Sequence, residues 1–493
     1  MDHPLLYEIN TRCWLRELSE RQGRPIRLGD VPDADLDRWQ QLGFTHIWLM
    51  GVWTTGPRSR AHLLSDPSLR AAYDECLPGW KKEDVAGSPY AIAAYTVPRA
   101  LGGGTGLKKF RRQLHTRGLK LILDFVPNHV GLDHDWVAGR PKLFVQTTAG
   151  APGTFRRETA DGPRWLAHGK DPYFLAWADT VQLDHRNPET RRALLEALEA
   201  VASRCDGVRC DMAMLVLNDV FARTWEDFPA STLPAATEFW ADALATAKKS
   251  HPHCLFLAEA YWDLEARLQS LGFDYTYDKR LYDYLVRRNH REVQDHLLSV
   301  PPEFVQASAH FLENHDEPRI ASLLSLAEHR AAALLTLGLP GLRFLHDGQL
   351  TGARIHTRVH LTRRVCEPAQ PEITALYEYV LRALQISAVG RGQGEVLHPR
   401  AAWPDNPTHH DFVIVQWHAR PDEFDLVAVN LAPHRSQCYA PLTVPDLANY
   451  NWRMKDLLGH EEHVRNGDDL QTQGLYLDLP EHGAQLFHFQ PVA

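Results

Sequence analysis

The stretch Gly207-Val208-Arg209-Cys210-Asp211 is a short, mostly apolar run that carries an arginine and ends in a carboxylate. It reads as a buried strand, and strand residues two apart point the same way. Arg209 and Asp211 can therefore share one site, with the guanidinium holding the carboxylate ionised and oriented. An ionised, positioned carboxylate is a nucleophile. The competing reading is a structural ion pair at a strand end, because such pairs perturb pKa values as well. Other polar groups follow other apolar runs: Asp124 with Asn128-His129, then Glu259, then Asn314-His315-Asp316. Singly, each is as well explained by a helix cap or a solvated loop. Together they matter only if the fold brings them to one place.

The elements between them supply such a fold. Strands are expected near 47, 92, 122, 208, 257, 274, 312 and 344, and residues 5–15 suggest an opening strand. Helices are expected over 107–116, 188–203, 234–249, 280–297, 320–337 and 372–387. A long polar loop runs to about residue 87. Continuous apolar strands alternating with helical patterns predict an α/β chain whose eight strands close into a (β/α)8 TIM barrel. Residues 1–129 and 186–388 make the barrel, 130–185 a small subdomain inserted after strand 3, and 389–493, with its short alternating strands, a C-terminal antiparallel β-sandwich. In such a barrel catalytic groups sit at the C-terminal ends of the strands, which is where these acids fall.

Composition narrows the partners. With 44% apolar and 23% charged residues the 493-residue chain has the make-up of a soluble globular protein. A net charge of −9 without a long basic run argues against nucleic acid. Neither a signal-like start nor ~18 uninterrupted apolar residues is present, so no membrane partner is expected. Seven cysteines without a C-x-x-C pair suit a reducing, cytoplasmic location. His460 and His463 lack the i, i+4 spacing of a helical zinc site and, like His409-His410, read as surface residues. Gly102 to Gly106 lack the Gly-Lys-Ser/Thr ending of a phosphate cradle and read as the loop before a helix.

In order, Asp124-Phe125-Val126-Pro127-Asn128-His129, Gly207-Val208-Arg209-Cys210-Asp211, Phe256-Leu257-Ala258-Glu259 and Phe311-Leu312-Glu313-Asn314-His315-Asp316 resemble the four signature regions of the α-amylase superfamily of glycoside hydrolases. The resemblance implies a retaining α-glycoside hydrolase acting on α-1,4-glucans or maltooligosaccharides. It makes Asp211 the nucleophile, Glu259 the general acid/base and Asp316 the acid that fixes substrate hydroxyls. Arg209, His129 and His315 would hold Asp211 and the sugar, and Tyr90 would stack on it. A transglycosidase or an α-glucosidase of small substrates uses the same machinery, and a catalytically silent binding relative is opposed by the retained acids. The chemistry needs no cofactor. The family's calcium would be held by Asn128, Asp184 and the Leu215 carbonyl, oxygen ligands that suit it, the alternative for Asp184 being a helix cap before Pro188.

Physical reasoning adds an expected asymmetry. Asp211 beside Arg209 should stay ionised, whereas Glu259, after Leu255-Phe256-Leu257-Ala258, should have its pKa raised by desolvation. Trp53, Tyr90, Tyr261 and Trp262 suit either sugar faces or packing. Two departures from the family stand out. Tyr90-Ala91-Ile92-Ala93-Ala94-Tyr95 replaces a Tyr-Asp-x-x-Asp-Tyr run, and Met214-Leu215 replaces Lys-His. Losing those two donors should weaken the leaving-group side and favour maltodextrin-sized substrates over polymer.

Overall fold

Eight parallel strands close into a barrel in a computed structural model that describes residues 3–229, 237–420 and 422–492. They are β1 (Leu5–Asn10), β2 (His46–Met50), β3 (Lys120–Phe125), β4 (Gly207–Cys210), β5 (Leu255–Ala258), β6 (Tyr275–Tyr277), β7 (Ser308–Phe311) and β8 (Leu342–His346). Each pairs with its sequence neighbour, and β8 returns to β1 with Glu8 opposite His346. The expected strand near 92 is not a barrel member: Ile92–Ala94 pairs antiparallel with Thr54–Thr55 in a ribbon above the barrel. Its place is taken by β1, which ends at Asn10 because Asn10 caps the helix Thr11–Gln22, its side chain accepting from the Cys13 amide.

The period of two along each strand sorts the barrel interior. Leu6, Trp48, Ile122, Leu257, Tyr277, Phe311 and Phe344 form its apolar core. Two residues further along, the same inward rows turn polar: Leu6 is followed by Glu8, Ile122 by Asp124 and Leu257 by Glu259. On β4 the row reads Arg209 then Asp211. The chemistry is thus stacked on top of the core, at the C-terminal mouth.

Two excursions build walls around that mouth. The one after β2 is not the polar loop expected but two helices, Pro57–Ser65 and Pro67–Cys76, each opening on proline at its first turn. Asp66 caps the second by accepting from the Ser68 and Leu69 amides. Tyr73, Cys76, Leu77 and Val85 pack with Leu361 of the segment after β8, which fixes this wall to the barrel. The excursion after β3 pairs His129–Gly131 with Thr180–Gln182 and adds a three-stranded antiparallel sheet. At Gly131 a Cβ would lie 2.4 Å from the Ala91 carbonyl oxygen, so a glycine lets this ribbon press on the segment that carries Tyr90.

Beyond the barrel, a six-stranded and a three-stranded antiparallel sheet share a core of residues such as Phe412, Ile414, Phe424 and Trp452. Trp417 of this region donates its indole N–H to the Gly338 carbonyl of the helix Leu326–Gly338, 2.8 Å away. The expected start of the helix at 234 lies outside the described residues, and the helix itself begins after Glu238 and runs Phe239–Ser250. All seven cysteines are free, and only Cys366 is exposed. Among the described residues no helix is long and apolar enough to cross a membrane.

Candidate active site

Asp211, Glu259, Asp316, Tyr90 and His129 line one pocket of about 560 Å³ at the barrel mouth, together with His62, Leu69, His360, Trp177, Met212 and Tyr261. Arg209 and His315 lie directly beneath it. The sequence motifs therefore converge as the barrel requires.

Arg209 organises the floor. Its side chain is fully buried, Nη1 lies 2.7 Å from Asp211 Oδ1, and Nη2 lies 2.6 Å from Glu259 Oε2 as a close ion pair. Its guanidinium carbon lies 5.2 Å from the ring centroids of both Trp48 and Tyr90, whose faces favour a cation. One buried cation thus serves two carboxyl groups, yet the ionised Asp211 expected from sequence is opposed by its burial. Burial pushes Asp211 up to about 8 against the pull of Arg209, with Glu259 adding to the rise. Glu259 is as well held as Asp211: the Met212 amide donates to Oε2 at 2.7 Å and the Tyr261 hydroxyl to Oε1 at 2.8 Å. That amide is aimed by a left-handed backbone at Met212, φ 42°, a conformation a non-glycine residue adopts only when its surroundings enforce it.

A third carboxyl of the floor, Asp124, sits 3.6 Å from Arg209 Nη1, and burial raises it to about 6. Asp316, by contrast, projects into the pocket 3.1 Å from His315 Nε2 and is drawn down to about 2, burial being outweighed by His315. Tyr90 stacks on His315 at 5.3 Å with its hydroxyl 2.6 Å from Nε2, so its ring packs on the imidazole as well as facing the pocket. His129 is pushed down to about 3 by burial and is a neutral donor or acceptor beside Trp177.

Alpha amylase catalytic-domain sequences match residues 33–368, more than half of the chain. The chain belongs to the alpha-amylase family. Among curated relatives of this family, "Alpha-amylase MalA" of Haloarcula japonica is 25% identical over 363 residues, which is 71% of this chain and 44% of that protein. An alpha-1,4-glucan:maltose-1-phosphate maltosyltransferase of Bifidobacterium animalis is 27% identical over 46% of this chain and 26% of its own length. The chain therefore spans less than half of either relative. The fold matches the crystal structure of an α-amylase from Geobacillus thermoleovorans complexed with acarbose, with a TM-score of 0.66, 19% identity and 99% of each chain covered.

The alpha-amylase family's calcium ligands do not survive as a donor set. Asn128 Oδ1 accepts from Gln182 Nε2 at 2.9 Å. The Asp184 carboxylate is taken by the Arg186 guanidinium, Nε to Oδ1 at 2.8 Å and Nη2 to Oδ2 at 3.0 Å. The helix cap before Pro188 is Asn187, not Asp184. A fixed cation already satisfies the one charged ligand, and the Leu215 carbonyl alone cannot hold an ion. Among the described residues no three His, Cys, Asp or Glu side chains cluster as metal ligands.

Further sequence expectations are also revised. Trp53 is buried and donates its indole N–H to the Asp124 carbonyl, so it is packing rather than a sugar platform. Met214 and Leu215 are buried in a tight turn, Ala213–Val216, facing the core rather than the pocket. Met212 is the residue of that segment that lines the pocket. Glu8 and Trp48 went unassigned. Glu8 had a signal, since it is a charged residue inside the apolar run Leu5-Leu6-Tyr7-Glu8-Ile9 of a strand buried on both faces.

Proposed function

We propose that the chain is a retaining α-glycoside hydrolase acting on α-1,4-glucans or maltooligosaccharides. The observation that carries this reading is Arg209 gripping Asp211 and Glu259 with the two arms of one guanidinium. Inverting enzymes hold their carboxyl groups ~6.5–9.5 Å apart to seat a water between them, whereas retaining ones use ~5–5.5 Å. A shared guanidinium supports the shorter spacing. Asp211 attacks the anomeric carbon while Glu259 gives its proton to the departing glycosidic oxygen. Glu259, now a carboxylate, then takes a proton from the water that attacks the glycosyl ester and frees Asp211.

Asp316, a carboxylate throughout the working range, accepts from ring hydroxyls and balances the positive charge developing on the sugar. His129, His315 and Tyr90 complete the grip on that ring. A second reading, transfer to another sugar through the same covalent intermediate, is supported by the apolar Met212 and Trp177 in the pocket lining, which cannot order an attacking water. A cytoplasmic location is supported by seven unpaired thiols. Incubation with maltotriose through maltoheptaose and soluble starch, followed by proton NMR of the first product and mass spectrometry of longer ones, tests both readings. Initial α anomer is expected, initial β anomer contradicts retention, and products longer than the substrate select transfer.

A further inference from the structure

Glu8 is fully buried on β1, beneath the pocket and out of contact with it. A carboxylate in such a place is costly unless a cation answers it. Two neighbouring basic groups are otherwise engaged: Arg209 pairs with Asp211 and Glu259, and Arg319 donates from Nη1 to Glu313 Oε1 at 2.7 Å and to the Asp347 carbonyl. His346, opposite Glu8 on β8, is pushed down to about 3 by burial and by Arg319. What remains is His315, whose Nδ1 lies 2.5 Å from Glu8 Oε1.

His315 is clamped on every other side. Trp48 meets its ring edge-on at 5.5 Å, and Tyr90 stacks on it at 5.3 Å. His356 Nε2 lies 2.7 Å from its backbone carbonyl. Behind it a small cavity is shared with Cys13, Arg319, His346 and Arg364. With Nδ1 turned to Glu8, Nε2 can point only upward, where it lies 2.6 Å from the Tyr90 hydroxyl and 3.1 Å from Asp316 Oδ2.

Resting on the proposed glycosidase reading, we propose that Glu8 is a positioning residue. It keeps His315 as an imidazolium with Nε2–H fixed as a donor toward Tyr90, Asp316 and the sugar at the cleaved bond. The charge pattern gives this consequence. Glu8, Asp124, Asp211, Glu259 and Asp316 crowd one barrel mouth, and Arg209 and His315 are the two cations set among them. Were His315 neutral, Arg209 would face them alone, and Asp316 would lose the partner that draws it down to about 2. The burial of His315 opposes its charge, and Asp316 and Glu8 outweigh that burial to raise it well above its ordinary value.

The experiment joins imidazole nitrogen NMR of His315 to a pH profile of kcat/KM on maltotetraose, for wild type, Glu8→Gln and Glu8→Asp. The His315 signals are assigned by their loss in His315→Gln. Wild-type His315 is expected as imidazolium at pH 8. In Glu8→Gln it should lose its proton at lower pH than in wild type, and kcat/KM should fall at least ~10-fold as pH rises through that loss. Glu8→Asp should partly restore the wild-type profile. A merely structural Glu8 would lower thermal stability without adding this limb to the profile. A neutral wild-type His315 at pH 7.5, or an unchanged Glu8→Gln profile, overturns the proposal. Should Glu8→Gln fail to fold, the wild-type spectrum alone decides. A wild type without activity on any α-glucoside sinks the glycosidase reading and still leaves the charge of His315 to be read.

Discussion

Arg209 Nη2 lies 2.6 Å from Glu259 Oε2, so the residue expected to hold only the nucleophile also holds the acid. Burial and Glu259 raise Asp211 against the pull of Arg209. Asp211 must be ionised to attack, and a raised pKa keeps its proton on at lower pH and releases it at higher pH. kcat/KM should therefore fall on the acid side as Asp211 takes up its proton. Asp316, held down to about 2, contributes no ionisation between pH 4 and pH 8. A pH profile on maltotetraose checks this, and an unchanged kcat/KM from pH 8 down to pH 4 would contradict it.

Arg209→Lys replaces a two-armed donor with a single ammonium that cannot serve Asp211 and Glu259 together. The expected loss in kcat is ~100-fold or more. Thermal stability should fall as well, because the planar guanidinium over Trp48 and Tyr90 is lost. Steady-state kinetics with calorimetry checks both, and a wild-type kcat would remove Arg209 from the chemistry.

Asp211→Ala and Glu259→Gln separate the two carboxyl roles. The first should lower kcat by several orders of magnitude on every substrate. The second should spare glucosyl fluoride relative to maltooligosaccharides, because fluoride leaves with little protonation. Equal losses on both substrates for Glu259→Gln would take the acid role away from it.

The acids were legible in the sequence because buried strands are continuous apolar runs and the polar residue that ends one stands out. The strand near 92 was misread for the same reason. Tyr90-Ala91-Ile92-Ala93-Ala94-Tyr95 is apolar because the ribbon is sandwiched between the barrel and the inserted subdomain, and burial alone does not say against what. Met214 and Leu215 matched positions where relatives carry pocket donors, but the tight turn Ala213–Val216 rotates them into the core. That geometry starts from the left-handed Met212, which no residue type at that position announces. The wall helices after β2 were legible in principle, through Asp66-Pro67 as cap and first-turn proline, but they are short and carry exposed polar faces.

The Arg186 guanidinium answers the Asp184 carboxylate with a cation from the chain itself. Arg186 Nη1 also donates to the Phe228 carbonyl at 3.0 Å, tying the end of the inserted subdomain to the segment after β4. A chelator should leave the melting temperature unchanged. Arg186→Ala leaves a buried carboxylate unanswered and should destabilise by about 3 kcal/mol, with added calcium giving no recovery. A chelator-induced fall in melting temperature, reversed by calcium, would restore the metal site.

Trp262, on the segment that follows Glu259, has φ 64° and its ring edge-on to Tyr173 at a 4.9 Å centroid distance. A bulky side chain in the left-handed region costs about 1–2 kcal/mol, so the position is held by its surroundings. Tyr173 is 63% exposed in the excursion after β3, so the ring contact links that excursion to the segment after β5. Partly exposed aromatic rings of this kind suit a sugar face. Trp262→Gly removes the ring and the strain together. Stability should hold or rise, while kcat/KM on maltoheptaose falls ~10-fold and that on maltotriose falls less, and any transfer products decline relative to hydrolysis. Product ratios by mass spectrometry together with a melting curve check this. Equal losses on short and long substrates would place Trp262 outside the sugar path.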